Sequence, residues 1–116
     1  MTIRDLAPQD VARRLKDDSI VLVDVRELAE FAAERIHGAL LFPLSTFDPH
    51  ALPDPGKREV VFQCGSGVRS AQAVTKCQAA GFGHDLHMAG GLKAWKVAGL
   101  PTISLDPATG QPRDQH

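Results

Sequence analysis

The sequence predicts a single α/β domain built on a parallel sheet, and three observations carry that prediction. The run Ile20-Val21-Leu22-Val23-Asp24-Val25 is apolar and β-branched almost throughout, the mark of a strand buried on both faces of a sheet. Other short strand-like runs alternate with segments whose apolar residues recur at helical spacing, the pattern of βαβ units with right-handed crossovers. With 116 residues the chain can bury one core and is too short for two ordinary domains. The domain is placed at residues 1–104, and 105–116, rich in Pro, Gly and polar residues, is expected to be a flexible C-terminal tail.

Taken in order, residues 7–15 read as a first helix, with Pro8 suited to its first position and Val11 and Leu15 as an i, i+4 apolar pair. The strand at 20–25 follows. Residues 27–35 set Leu28, Phe31 and Ala32 at helical spacing, and 39–42 read as a short strand stopped by Pro43. Residues 44–54 suggest a helical turn and then a loop marked by Pro49, Pro53 and Pro55. A central strand at 59–63 leads into a glycine-rich bend. Over 69–80 the residues Ala71, Val74 and Cys77 share one helical stripe, and Gly81 suits the C-terminal cap. Residues 84–88 read as the last strand. Ala89-Gly90-Gly91 then turns into a final helix carrying Leu92, Trp95 and Val97, closed by Gly99 and Pro101.

Composition narrows the function. Hydrophobic residues make up 43% and charged residues 23%, with a net charge of −1, so no basic surface points to nucleic acid. The N-terminal stretch lacks an apolar leader and no segment approaches membrane-spanning length, so no membrane partner is expected. The 2 cysteines, Cys64 and Cys77, have neither disulfide-framework nor metal-site spacing, and a reducing cytoplasm is the expected location. His84 and His87 would point to opposite faces of their strand, and no metal site is assigned.

The chemistry is expected in Val60-Val61-Phe62-Gln63-Cys64-Gly65-Ser66-Gly67-Val68-Arg69-Ser70. Open parallel sheets bind ligands beyond the carboxyl ends of their strands, and Cys64 falls at such an end. Successive N–H groups in a glycine-rich bend form an anion site, and a following helix N-terminus adds positive potential. A cysteine there should ionise readily and act as a solvent-accessible nucleophile without a His–Asp partner. Gly65 and Gly67 would permit the backbone angles that turn N–H groups inward. Arg69 would hold an oxyanion and help depress the thiol pKa, while Ser66 and Ser70 could donate hydroxyl hydrogen bonds. Asp24 and Arg26 read as a buried pair holding neighbouring loops. Cys77 reads as core, with a resolving thiol as its alternative role. The spacing Gly65-x-Gly67-x-x-Ser70 half-matches a dinucleotide fingerprint but lacks the third glycine.

Three separated pieces resemble the single-domain rhodaneses of the sulfurtransferase family: Asp24-Val25-Arg26, the loop from Cys64 to Arg69, and Gly90-Gly91-Leu92-Lys93-Ala94-Trp95 followed by Ala98-Gly99-Leu100-Pro101. A weaker fourth piece lies at 31–43, with Gly38-Ala39 and Pro43. The resemblance implies a three-layer α/β domain with a central, mainly parallel five-stranded sheet flanked by helices. It implies transfer of a sulfane sulfur from thiosulfate or a similar small-molecule donor to a thiol or cyanide acceptor, through a persulfide on Cys64. Gly65, Ser66, Gly67, Val68, Arg69 and Ser70 would bind the substrate, Asp24 and Arg26 would support them, and no metal or organic cofactor would be needed.

Cys64-Gly65-Ser66-Gly67-Val68 looks more like the loop of mercaptopyruvate sulfurtransferases, yet Arg69 stands where those usually carry threonine, so both donors stay open. A protein could also serve as sulfur acceptor. Two other readings remain: a sulfur carrier or binding module without turnover, and a phosphatase of the Cdc25 type. The latter resemble this architecture but place five residues between cysteine and arginine, where this chain has four.

Overall fold

The computed structural model describes residues 2–105 and 109–115. In chain order its elements are β1 (Arg4–Leu6), α1 (Pro8–Lys16), β2 (Ile20–Asp24), α2 (Leu28–Ala33), β3 (Glu34–Arg35), β4 (Leu40–Leu41), β5 (Glu59–Gln63), α3 (Val68–Ala79), β6 (Leu86–Met88), α4 (Gly91–Val97), β7 (Thr102–Leu105) and β8 (Pro112–Gln115). Two 3₁₀ turns, Leu44–Thr46 and Pro49–Ala51, occupy the stretch read as ambiguous. The central sheet has five strands in the order β1-β6-β5-β2-β4, with every pair parallel.

Strand periodicity divides the core into two halves. Along β2, Ile20 and Leu22 face a cluster with Val11 of α1 and with Leu92 and Trp95 of α4. Val21 and Val23, with Val25 just beyond the strand, face the opposite cluster with Ala73, Val74 and Cys77 of α3. All five residues of β2 are buried, as the continuous apolar run requires. The layers are therefore α1 and α4, the sheet, and α3.

Several expectations change. β1 was not foreseen because Arg-Asp-Leu is short and charged, as a blunted edge strand tends to be. The helix expected over 27–35 stops at Ala33, because the Arg26 guanidinium takes the Glu34 carbonyl at 2.7 Å while Lys96 and Thr102 hold the Glu34 carboxylate at 2.8 and 2.7 Å. Glu34 and Arg35 instead pair with β7 in a second, antiparallel sheet, β3-β7-β8. β6 begins only at Leu86 and is not the last strand. Val97 is 84% exposed, so α4 packs through Leu92 and Trp95, the latter donating its indole N–H to the Pro101 carbonyl at 2.8 Å. Where a flexible tail was expected, Pro112–Gln115 pairs antiparallel with β7; residues 106–108 and 116 of that expected tail lie outside the described residues. Among the described residues no helix is long and apolar enough to cross a membrane.

Candidate active site

Strand β5 ends at Gln63, and the loop after it closes directly on α3. Gly67 is the N-cap of that helix at φ +100°, a left-handed conformation that glycine adopts without steric cost. The turn brings N–H groups onto Cys64: its Sγ accepts from Gly67 N–H at 3.1 Å and from Ser70 N–H at 3.3 Å, with the Ser70 hydroxyl at 3.6 Å. Burial pushes the thiol pKa up, but the Ser70 hydroxyl and the N–H groups of Ser70, Ser66 and Gly67 more than offset it. The thiol is left below its ordinary value.

The other side of the loop is held by α4. Leu92 N–H donates to the Cys64 carbonyl at 2.7 Å and Lys93 N–H to the Gly65 carbonyl at 3.1 Å. Because a trans peptide points its C=O and N–H in opposite directions, turning these carbonyls toward α4 turns the following N–H groups away from it. Gly91, at φ +62°, makes the approach feasible: a Cβ there would strike the Cys64 carbonyl oxygen and lie 2.6 Å from the Gly65 carbonyl carbon. Gly91 of the Gly90-Gly91 motif thus acts on the cysteine loop across the fold.

Arg69 meets a partner that was not anticipated. Its guanidinium forms a two-point pair with Glu30 of α2, at 2.7 and 2.9 Å. That hydrogen-bonded pair, assisted by the Glu27 N–H, holds the Glu30 carboxyl at about 2, against the pull of burial. The guanidinium also lies over the loop, 3.5 Å from where a Cβ on Gly65 would sit. Cys64 itself has 0% relative exposure. The expected open thiolate is therefore buried, wrapped by its own loop and the first turn of α3. The thiol pKa is lowered first by the Ser70 hydroxyl and N–H at the start of α3 and then by the loop N–H groups of Ser66 and Gly67.

Asp24 and Arg26 form a buried pair at 2.8 Å, with side chains 0% and 5% exposed. Arg26 spends its remaining donors on the Glu30 and Glu34 carbonyls, so the pair ties the end of β2 to α2 and thereby sets where Glu30 stands. Ser66 and Val68 are exposed at the rim. Ser66 lines a cleft of ≈ 730 Å³ with Pro8, Gln9, Gly90, Lys93 and Val97 among others. Cys77 is fully buried against the sheet, and burial pushes its thiol up to about 11.

His87 and Asp5 were missed. The Ser70 hydroxyl lies 2.8 Å from His87 Nδ1, and His87 Nε2 lies 2.8 Å from an Asp5 carboxylate oxygen. A His–Asp pair thus stands one hydroxyl away from the sulfur. No local spacing announces it, since Asp5 and His87 become neighbours only through the parallel register of β1 on β6. Glu30 had a signal, but a different one: with Glu27 it forms a capping box, which explains a helix start and not a grip on Arg69.

A model of the Rhodanese-like domain family matches residues 7–98. The chain is 41% identical over 103 residues to an uncharacterized protein of Synechocystis sp., covering 89% of this chain and 58% of that one. It thus spans a little over half the length of that relative. It is 34% identical over 103 residues to a protein of Allochromatium vinosum named a sulfurtransferase, covering 88% of this chain and 96% of the relative. The solution NMR structure of the rhodanese-like domain of the Anabaena sp. Alr3790 protein matches with a TM-score of 0.75 at 24% identity, over 97% of this chain and 88% of that domain, a likeness of fold.

Proposed function

The chain belongs to the rhodanese-like domain family, and from that premise we propose that it is a sulfurtransferase whose Cys64 carries a sulfane sulfur as a persulfide. The Cys64 thiolate attacks the outer sulfur of a donor such as thiosulfate. A new S–S bond forms on Cys64, the donor's S–S bond breaks, and sulfite leaves with the bonding pair. A thiolate or cyanide then takes the outer sulfur and returns the Cys64 thiolate. The observation that carries this reading is the convergence of the Gly67 and Ser70 N–H groups on Sγ, which can hold thiolate and persulfide anion alike. Gly65, Ser66, Gly67, Val68, Arg69 and Ser70 form the substrate-binding loop. Arg69 binds the donor's anionic group by exchanging it for Glu30, and the same exchange would admit the carboxylate of mercaptopyruvate. Asp24 and Arg26 keep α2, and so Glu30, in register with that exchange.

Intact-mass measurement after incubation with thiosulfate or mercaptopyruvate tests the reading. The expected result is the gain of one sulfur on Cys64, lost again on adding cyanide or a thiol, and absent from Cys64→Ser. Arg69→Ala should weaken donor use by about 1–3 kcal/mol, the loss of a charged hydrogen bond. A second reading, a sulfur carrier that reacts only against a docked partner, draws on the covered sulfur and the closed Arg69–Glu30 pair. Loading in one round without multiple turnover would favour it. Cys64-dependent turnover of phosphate esters without sulfur loading would move the assignment to a phosphatase.

A further inference from the structure

We infer that Ser70, His87 and Asp5 form a proton relay that receives the Cys64 thiol proton and stores it on His87. This deepens the sulfur-transfer reading and rests on it for its purpose, though not for its geometry. The chain of contacts runs from Cys64 Sγ to Ser70 Oγ at 3.6 Å, from Ser70 Oγ to His87 Nδ1 at 2.8 Å, and from His87 Nε2 to Asp5 at 2.8 Å. Ser70 is fully buried and the His87 side chain is 10% exposed, so bulk water does not readily substitute for either.

Donor and acceptor roles follow from the far end. An ionised carboxylate only accepts, so His87 Nε2 carries a hydrogen toward Asp5. In the neutral imidazole Nδ1 is then a bare acceptor facing the Ser70 hydroxyl. With Cys64 as a thiol, S–H points to Ser70 Oγ. The Ser70 hydroxyl has two acceptors in reach, the Gly67 carbonyl at 3.2 Å and Nδ1 at 2.8 Å, and in the relay its proton points to Nδ1, the nearer. On ionisation the S–H bond breaks and its proton forms a new bond to Oγ. The original Ser70 proton passes to Nδ1. Serine ends neutral, now donating to the thiolate and accepting from the imidazolium, while Asp5 balances the imidazolium charge. One proton has moved from sulfur to His87, with no redox change and no co-reactant.

Among the described residues, the groups facing His87 come from three elements and the cysteine loop. Asp5 comes from β1, Ser70 from α3 with Cys64 behind it, and Gly67 contributes backbone, its notional Cβ lying 3.9 Å from the imidazole. Phe62 is its register partner on β5, and Arg69 is committed to Glu30. Asp5 is thus the charged side chain hydrogen-bonded to the imidazole. Ser70 touches the reacting sulfur and is catalytic in that sense, whereas His87 and Asp5 act through it as positioning residues. Each time the sulfur is delivered the thiolate is regenerated as a leaving group, and an imidazolium two bonds of hydrogen bonding away stabilises it.

The rate of iodoacetamide alkylation at Cys64, followed by mass spectrometry across pH, reads the relay without any sulfur donor. If His87 takes the proton, the alkylation rate of the intact protein should rise over a lower pH range than in a variant whose residue at that position cannot take one. His87→Asn can still hydrogen-bond Ser70 but cannot store a proton; the midpoint of the profile should rise by about one unit or more. Asp5→Asn, at an exposed position that leaves the core alone, should raise it less. The double variant Ser70→Ala with His87→Asn should shift no further than Ser70→Ala alone, because the hydroxyl is the link. An unchanged midpoint in His87→Asn and Asp5→Asn, or shifts that add in the double variant, overturns the relay. The expected variant shifts in a protein that takes sulfur from no donor would instead remove the sulfurtransferase reading and leave the relay standing.

Discussion

The two cysteines are both fully buried thiols against the same face of the sheet, yet their acidities move in opposite directions. Cys77 sits on the packed flank of α3, where burial is the cause of its rise to about 11. Cys64 feels burial too, but hydrogen-bond donors from its loop and from Ser70 reverse the effect. Desolvation penalises an anion only where nothing replaces the lost water. Enclosure and reactivity are therefore compatible, and the difference lies in which polar groups the backbone aims at the sulfur.

The sharpest way to break this comparison is to alkylate both thiols at neutral pH. Cys64 should react at least about 100-fold faster than Cys77, since its thiol is shifted down where that of Cys77 is shifted up, and its thiolate fraction is the larger. Comparable rates would mean the loop confers nothing. In the same protein Cys77→Ser should keep sulfur loading while losing about 1–3 kcal/mol of stability in denaturant titration, because a hydroxyl enters an apolar layer.

A second substitution sharpens the same point from outside the loop. Gly91→Ala places a methyl against the Cys64 carbonyl at a positive φ, and should cost about 2–4 kcal/mol of stability. Its diagnostic result is a raised alkylation midpoint for Cys64 with the midpoint of Cys77 unmoved. Equal movement of both would show general loosening instead.

The smallest effect concerns Glu30, whose side chain is 40% exposed. Its carboxyl is held at about 2, below the ordinary 4.5, so the pair's stabilisation is complete above about pH 4.5 and is lost as pH falls toward 2. Solvent screening keeps that contribution under about 1 kcal/mol. Glu30→Gln should therefore differ slightly from the parent in stability at neutral pH and match it near pH 2. In donor assays it should bind anionic donors more tightly, because Arg69 is no longer occupied; weaker binding would argue that Glu30 positions Arg69 and does not compete for it.

What could be read from the chain was whatever is local. The buried strand at Ile20–Asp24, the cysteine at the end of Glu59–Gln63 and the helix after it follow from periodicity and turn chemistry within a few residues. The roles of Gly91, Glu30, Asp5 and His87 depend on strand register and on helices returning from elsewhere, and short charged segments such as Arg4–Leu6 carry no pattern that foretells their pairing. The relay was invisible for that reason: its members are ordinary polar residues until the sheet brings them side by side.

The support that α4 lends to the cysteine loop also has a temporal side. The amide hydrogens of Leu92 and Lys93 that fix the loop's carbonyls are added well after Cys64 during synthesis. A chain still lacking them has nothing to turn the Cys64 and Gly65 carbonyls toward α4. The shape of the cysteine loop is therefore a property of the finished fold, and not of the segment that carries the cysteine alone.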